Sequence, residues 1–223
     1  MSDFEVFDTP TQVASEVASR LAALIQQDGS TKLVALTGGT LGIEVIREFA
    51  KFDNGTLPVK FVFGDERFVA PSHADRNEHQ GLVAWPGLEK YLLRYPDADQ
   101  DLDTAAENFE AFLKQELGEN PVFDLTILGM GPDGHVASLF PGHDSPGELV
   151  VAESDSPKPP SQRLSLSYDA LNRSRQVWFV ASGDAKADAV RCARSADCEL
   201  PVAKVKGLEK TLWFIDLELS RAL

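Results

Sequence analysis

The sequence predicts an α/β fold built on a mostly parallel sheet covered on both faces. Two observations carry the prediction: short, nearly continuous apolar runs end in glycine or charged turns, and stretches of helical periodicity fall between those runs. A sheet buried on both faces needs such runs, because neither set of alternate side chains meets water.

The elements follow in order. Thr9-Pro10 has the form of an N-cap with proline in the first helical turn, and Val13, Val17, Leu21, Leu24 and Ile25 keep helical spacing to about Gln27. "KLVALTGG" is a short buried strand ending in glycines, and "TLGIEVIREFAKF" the helix after it. "VKFVFGDERF" is a second strand running into a charged loop. A helix is expected over Thr104 to Leu117, with Phe109, Leu113 and Leu117 on one face. "VFDLTILGMG", "RLSLS", "QVWFVASG" and "TLWFID" complete the strands, and "DAKADAVRCAR" has helical character. "ESDSPKPPSQR", rich in Pro and Ser, is expected to be a mobile surface loop rather than a boundary, since strands of the same kind continue beyond it. With no internal repeat, one domain over residues 1–223 is expected.

The formal charge of −14 argues against a nucleic-acid or anionic-membrane surface, and requires any site for an anionic substrate to be made positive locally. No apolar run approaches the ~20 residues of a membrane-spanning helix. "MSDFEVFDTP" has neither the basic nor the apolar region of a signal peptide, so a soluble, cytoplasmic protein is expected. Cys192 and Cys198 form no CxxC pair and are expected to be reduced thiols. Paired His/Asp/Glu spacings of the usual metal-binding kinds are missing.

In parallel sheets, ligands bind where loops leave the carboxyl ends of strands. Three loops qualify: Gly38-Gly39-Thr40, Asp65-Glu66-Arg67, and Gly129 to His135. The third contains a G-x-G-x-x-G frame, which would suggest a dinucleotide. However, Asp133 sits inside the frame, where it would repel a pyrophosphate, and Pro141-Gly142 cuts off the crossover helix that the fingerprint needs. His135, read as starting a short helix, is open to two readings: a buried imidazole satisfied by backbone, or a general base with Asp133 as its orienting partner. "LTGGTLGIEV" lacks the Walker A ending; it is either an anion site at a helix start or a tight turn capped by Thr40. Arg67 could hold a phosphate through its planar fork or belong to a solvated turn. Lys186, at a helix start, could add a second positive charge, and Arg163 is a further candidate. His73, His79 and His143 read as surface residues; Trp85, Trp178 and Trp213 read as packing.

Together, "LTGGT" at 36–40, "FGDERFV" at 63–69, "GMGPDGHVASLFPG" at 129–142, "RLSLS" at 163–167 and "VWFVASGDAKADAV" at 177–190 resemble the 6-phosphogluconolactonases of the sugar-phosphate isomerase/deaminase superfamily. The resemblance covers nearly the whole chain and implies a modified Rossmann-like three-layer α/β/α fold. It also implies hydrolysis of a sugar-phosphate lactone with neither metal nor organic cofactor, and a monomer. By the same resemblance, His135 is the general base, with Asp133 and Asp65 as orienting groups. Arg67 and Lys186 hold the phosphate, with Gly38, Gly39 and Thr40 near the sugar-phosphate end; Asn77 and Arg163 complete the binding set. One departure is Arg76, where the family usually has serine before the asparagine, so Arg76 is a candidate to reach the substrate. Two alternatives differ in chemistry. A glucosamine-6-phosphate deaminase needs a glutamate five positions after the histidine, where this chain has Phe140. A sugar-phosphate sensor would bind without turnover.

Overall fold

The computed structural model describes residues 3–223. Among these residues nine strands form: β1 (Asp3–Phe7), β2 (Lys32–Leu36), β3 (Val59–Phe63), β4 (Asp65–Arg67), β5 (Phe123–Leu128), β6 (Val150–Glu153), β7 (Arg163–Leu166), β8 (Ser174–Ala181) and β9 (Lys210–Asp216). The α-helices are α1 (Pro10–Gln26), α2 (Gly39–Phe49), α3 (Asn77–Ala84), α4 (Leu102–Leu117), α5 (Tyr168–Asn172), α6 (Ala187–Ala193), α7 (Pro201–Lys204) and α8 (Leu217–Ala222).

Six strands make one sheet in the order β1-β9-β8-β5-β2-β3, and every pairing in it is parallel. Helices flank it, with α1 packed on α2 and both against the sheet. The apolar runs are its strands, and Val34, Phe61, Leu125, Val177 and Phe214 are all fully buried. Trp85, Trp178 and Trp213 are buried as expected. The Thr9 side chain caps α1 by accepting from the Gln12 N–H at 3.2 Å. The Thr104–Leu117 helix begins two residues earlier, where Asp101 caps it through the N–H groups of Asp103 and Thr104.

Four expectations are corrected. "RLSLS" does not join the parallel sheet: β7 is the central strand of a small antiparallel sheet, β4-β7-β6, and the charged Asp65-Glu66-Arg67 triplet is itself an edge strand of that sheet. His135 starts no helix, because Ala137 takes a left-handed backbone (φ 50°) and Val136 bridges back to Leu139. Cys192 and Cys198 are not separate thiols but a disulfide; α6 ends at Ala193 and the turn after it brings the two Cα atoms to 5.3 Å, within disulfide reach. The stretch 153–163 is not loop throughout: Glu153 closes β6, Arg163 opens β7, and the buried Arg163 guanidinium donates to the carbonyls of Pro160 (3.0 Å) and Lys158 (2.9 Å).

Because the large sheet is parallel throughout, β2, β3, β5 and β8 end at the same edge, and these four are adjacent. The loops leaving them meet there. None of the helices among the described residues is long and apolar enough to cross a membrane.

Candidate active site

A cleft of about 290 Å³ opens at that edge. Of the eleven candidate residues named from the sequence, nine line it: Gly38, Gly39, Thr40, Asp65, Arg67, Asn77, His135, Arg163 and Lys186. Asp133 is the tenth, and it lies directly behind the histidine.

The glycine frame is built for the histidine. The Gly129 N–H donates to Thr37 Oγ1 at 3.0 Å, joining the ends of β5 and β2. The Gly131 N–H donates to the His135 carbonyl and the Gly134 N–H to the Gly131 carbonyl, each at 3.0 Å, closing a tight loop. A methyl group at Gly131 would overlap both the His135 ring and the Asp133 carboxylate. Gly134 has a left-handed φ of 80° and lies against Leu200, while its carbonyl accepts from the Val202 N–H at 3.0 Å.

His135 Nδ1 lies 2.5 Å from Asp133 Oδ1. Burial pushes the Asp133 carboxyl up, but its hydrogen bond to His135 and the charge there outweigh burial and hold it below the usual carboxylate range. An ionised carboxylate only accepts, so the neutral imidazole carries its proton on Nδ1 and keeps a lone pair on Nε2. Burial lowers the His135 pKa below its ordinary 6.5, against the opposing pull of Asp133. At neutral pH the ring is therefore an unprotonated base. The Phe140 ring packs 4.8 Å from it, in the position where a deaminase would need a carboxylate.

Asp65 is held away from solvent, accepting from Ser138 Oγ at 2.6 Å with Arg163 Nη1 3.9 Å away. Arg163 borders the cleft but directs its donors largely to the 158–160 backbone. Asn77 is fixed from three sides: its side-chain amide donates to the Asp65 carbonyl at 2.8 Å, its backbone N–H to Glu66 Oε1 at 2.7 Å, and Gly38 leaves no space above its Oδ1. Arg76 does not reach the cleft. Its guanidinium is 1% exposed and donates to Glu78 and to the carbonyls of Val69, Tyr95 and Pro96. The reason is electrostatic: Glu66 and Glu78 are buried together, and the Arg76 charge opposes the upward push that burial gives the Glu78 carboxyl.

The positive end of the cleft has a different construction. Helix α2 begins at Gly39 with no side-chain cap and no acidic residue in its first turn, so its first N–H groups and its dipole are available to an anion. Thr40 is the second residue of that helix rather than its cap. Arg67 donates to the Asp75 carbonyl, and its Nε is buried with no partner among the described residues. Lys186 stands in a short turn just before α6, and burial lowers its pKa while Asp216 opposes that shift. Lys158 also lines the cleft. The sequence reading missed it: the lysine lies between prolines in a stretch that looked like a loose loop, and the contact that fixes its backbone beside the cleft, from Arg163, is tertiary. The described residues hold no group of three or more His, Cys, Asp or Glu arranged to bind a metal ion.

The profile of the family described as "Glucosamine-6-phosphate isomerases/6-phosphogluconolactonase" matches residues 8–213. The chain belongs to that family. It is 36% identical over 235 residues to the 6-phosphogluconolactonase of Mycobacterium leprae, covering 96% of this chain and 95% of the relative. To that of Mycobacterium tuberculosis it is 35% identical over 243 residues, covering 100% and 98%. Among solved structures, the 6-phosphogluconolactonase of Thermotoga maritima superposes with a TM-score of 0.84 at 26% identity, covering 97% of this chain and 100% of that one.

Proposed function

We propose that this chain is a single-domain cytoplasmic enzyme that hydrolyses 6-phospho-D-glucono-1,5-lactone to 6-phospho-D-gluconate, with His135 as the general base. The observation that carries this reading is the Asp133–His135 pair, its free Nε2 opposite a cleft lined by cations in a chain of net charge −14. An acidic chain that lines one cleft with Arg67, Lys186 and a bare helix start is equipped for a phosphate dianion. Full-length similarity to named 6-phosphogluconolactonases supplies the substrate class.

In the mechanism, His135 Nε2 takes a proton from water as the water oxygen bonds to the lactone carbonyl carbon. The resulting oxyanion is met by backbone N–H groups of the glycine loops. Collapse of the adduct breaks the bond to the ring oxygen, and protonated His135 returns its proton to that oxygen. The acid formed ionises in water. Asp133 holds the imidazole in the required tautomer and balances its transient charge, as the carboxylate of a catalytic triad does. Asp65 orients Ser138 and, through Asn77, the floor of the cleft.

The test is turnover of freshly generated 6-phosphogluconolactone, coupled to an NADP-dependent dehydrogenase and corrected for spontaneous opening. Fast turnover that disappears in folded His135→Ala supports the reading. A well-folded wild type with no turnover removes it and leaves a sugar-phosphate sensor. Arg67→Ala should weaken discrimination for the phosphorylated over the unphosphorylated lactone; equal losses on both would make Arg67 structural.

A further inference from the structure

We propose that Lys158 is a substrate-contacting cation at the reacting end of the cleft, placed to counter the negative charge that develops on the lactone carbonyl oxygen. The inference rests on the lactonase reading and adds a residue to it.

Lys158 lies between β6 and β7, and its backbone is anchored twice. Its carbonyl accepts from Arg163 Nη2 at 2.9 Å and from Ser156 Oγ at 3.0 Å. Arg163 in turn stands 5.9 Å over the Phe140 ring, which packs 4.8 Å from the His135 ring. A chain of contacts thus ties the Lys158 backbone to the surroundings of the base. Pro157, Pro159 and Pro160 flank the lysine and fix the φ angles on either side of it, so little backbone freedom remains to be lost when a ligand is engaged.

The side chain borders the same cleft as His135 and Lys186. Its charge works against protonation of both. The other groups acting on the ring are Asp133 and Asp65, both already engaged, with His135 and with Ser138. Arg163 stands near Asp65, whereas Lys158 forms no ion pair among the described residues. In a chain with 35 acidic against 21 basic residues, a cation held in a cleft without a carboxylate partner is suited to an anion that arrives or develops there. The loop's attachment to Phe140 favours the reacting end over the phosphate end.

The experiment compares wild type, Lys158→Ala, Lys158→Arg and Arg67→Ala on two substrates, 6-phosphogluconolactone and unphosphorylated glucono-1,5-lactone. The lysine side chain is exposed and its anchoring is through the backbone, so the alanine variant keeps the loop clamp. Lys158→Ala should lose about tenfold or more in kcat on both lactones. Its kcat/KM should fall off at a higher pH on the acid side than in wild type, because a charge opposing protonation of His135 is gone. Lys158→Arg should recover most of the rate. A loss confined to the phosphorylated lactone, as expected of Arg67→Ala, makes Lys158 a phosphate contact and overturns the proposal; an unchanged kcat makes it a solvated side chain and also overturns it. Wild-type turnover is read separately. Its absence would remove the lactonase reading, and this inference with it, whereas an active wild type beside an unaffected Lys158→Ala removes the inference alone.

Discussion

Replacing Arg76 by methionine keeps the apolar stem of the side chain but removes the charge from under the active site. In the native protein the guanidinium bonds to Glu78 Oε2 at 3.0 and 3.2 Å, to the carbonyls of Val69 and Tyr95 at 2.8 Å each, and to that of Pro96 at 3.2 Å. Burial, then the charge of Glu78, pushes the Glu66 carboxyl up to about 8, so it keeps its proton through neutrality. Glu78 is then the carboxyl that relies on Arg76: burial pushes it up, and the charge and hydrogen bond of Arg76 push it back down; Arg94, half-exposed and 3.8 Å away, replaces Arg76 poorly. Removing one partner of a buried pair costs about 3–5 kcal/mol. At roughly 2–4 °C per kcal/mol for a chain of this size, Tm should drop by roughly 6–20 °C. The sign of the pH dependence follows from proton uptake. Between the ordinary glutamate value of 4.5 and about 8, folded Glu66 holds a proton that the unfolded chain releases, so stability falls as pH rises through that window. Without Arg76, Glu78 joins it, and the gap between variant and wild type widens from pH 5 to pH 8. Thermal unfolding followed by circular dichroism at pH 5, 6.5 and 8 measures this. A drop of less than about 2 °C that is the same at all three values would refute the reasoning.

The other predictions concern the base. Gly131→Ala puts a methyl group into both His135 and Asp133, and a displacement on the order of 1 Å should cost about 10²-fold in kcat/KM in a folded protein. Gly129→Ala meets only Thr37 Oγ1, at 3.3 Å, and should cost far less; equal effects would show that the ring is not gripped by Gly131. Asp133→Asn removes the anion that fixes the tautomer, and should lower kcat by about 10²–10⁴-fold. The same change should move the acid limb of kcat/KM to lower pH, because the lost charge favours protonated His135; an upward shift would contradict the assignment. In wild type that limb should have unit slope and lie below 6.5, the ordinary histidine value. A limb centred above 6.5 would mean that burial does not dominate at this ring.

Sequence reasoning reached the parts of this molecule that are written locally. The cap at Thr9, the apolar runs of β2, β5 and β8, and the misfit of Asp133 within a dinucleotide frame all rest on neighbours in the chain. What it missed depends on partners far away. β4 is three charged residues that become a strand only because β7, about a hundred residues later, lies beside them. Arg76 looked like a substrate contact because nothing near it in sequence reveals that Glu66 and Glu78 are buried. The 153–163 stretch has the composition of a linker, yet Arg163 folds back and fastens it. "HVASLF" carries helix-compatible residues, but Ala137 takes the left-handed conformation and the turn follows.

The clasp between Gly134 and Val202 and the pairing of β1 with β9 also govern how the protein is made. Synthesis runs from the amino end, so the histidine loop emerges long before the segment that braces it, and β1 waits with an unpaired edge until residues 210–216 appear. Such long-range closure is slow compared with local folding, and incomplete chains expose strand edges that pair readily with one another. Stalled or truncated products ending before α7 should therefore lack the brace on the histidine loop, and any ending before β9 should carry an open sheet edge. For this fold, bracing of the histidine loop and closure of the sheet edge both wait on segments made long after the elements they complete.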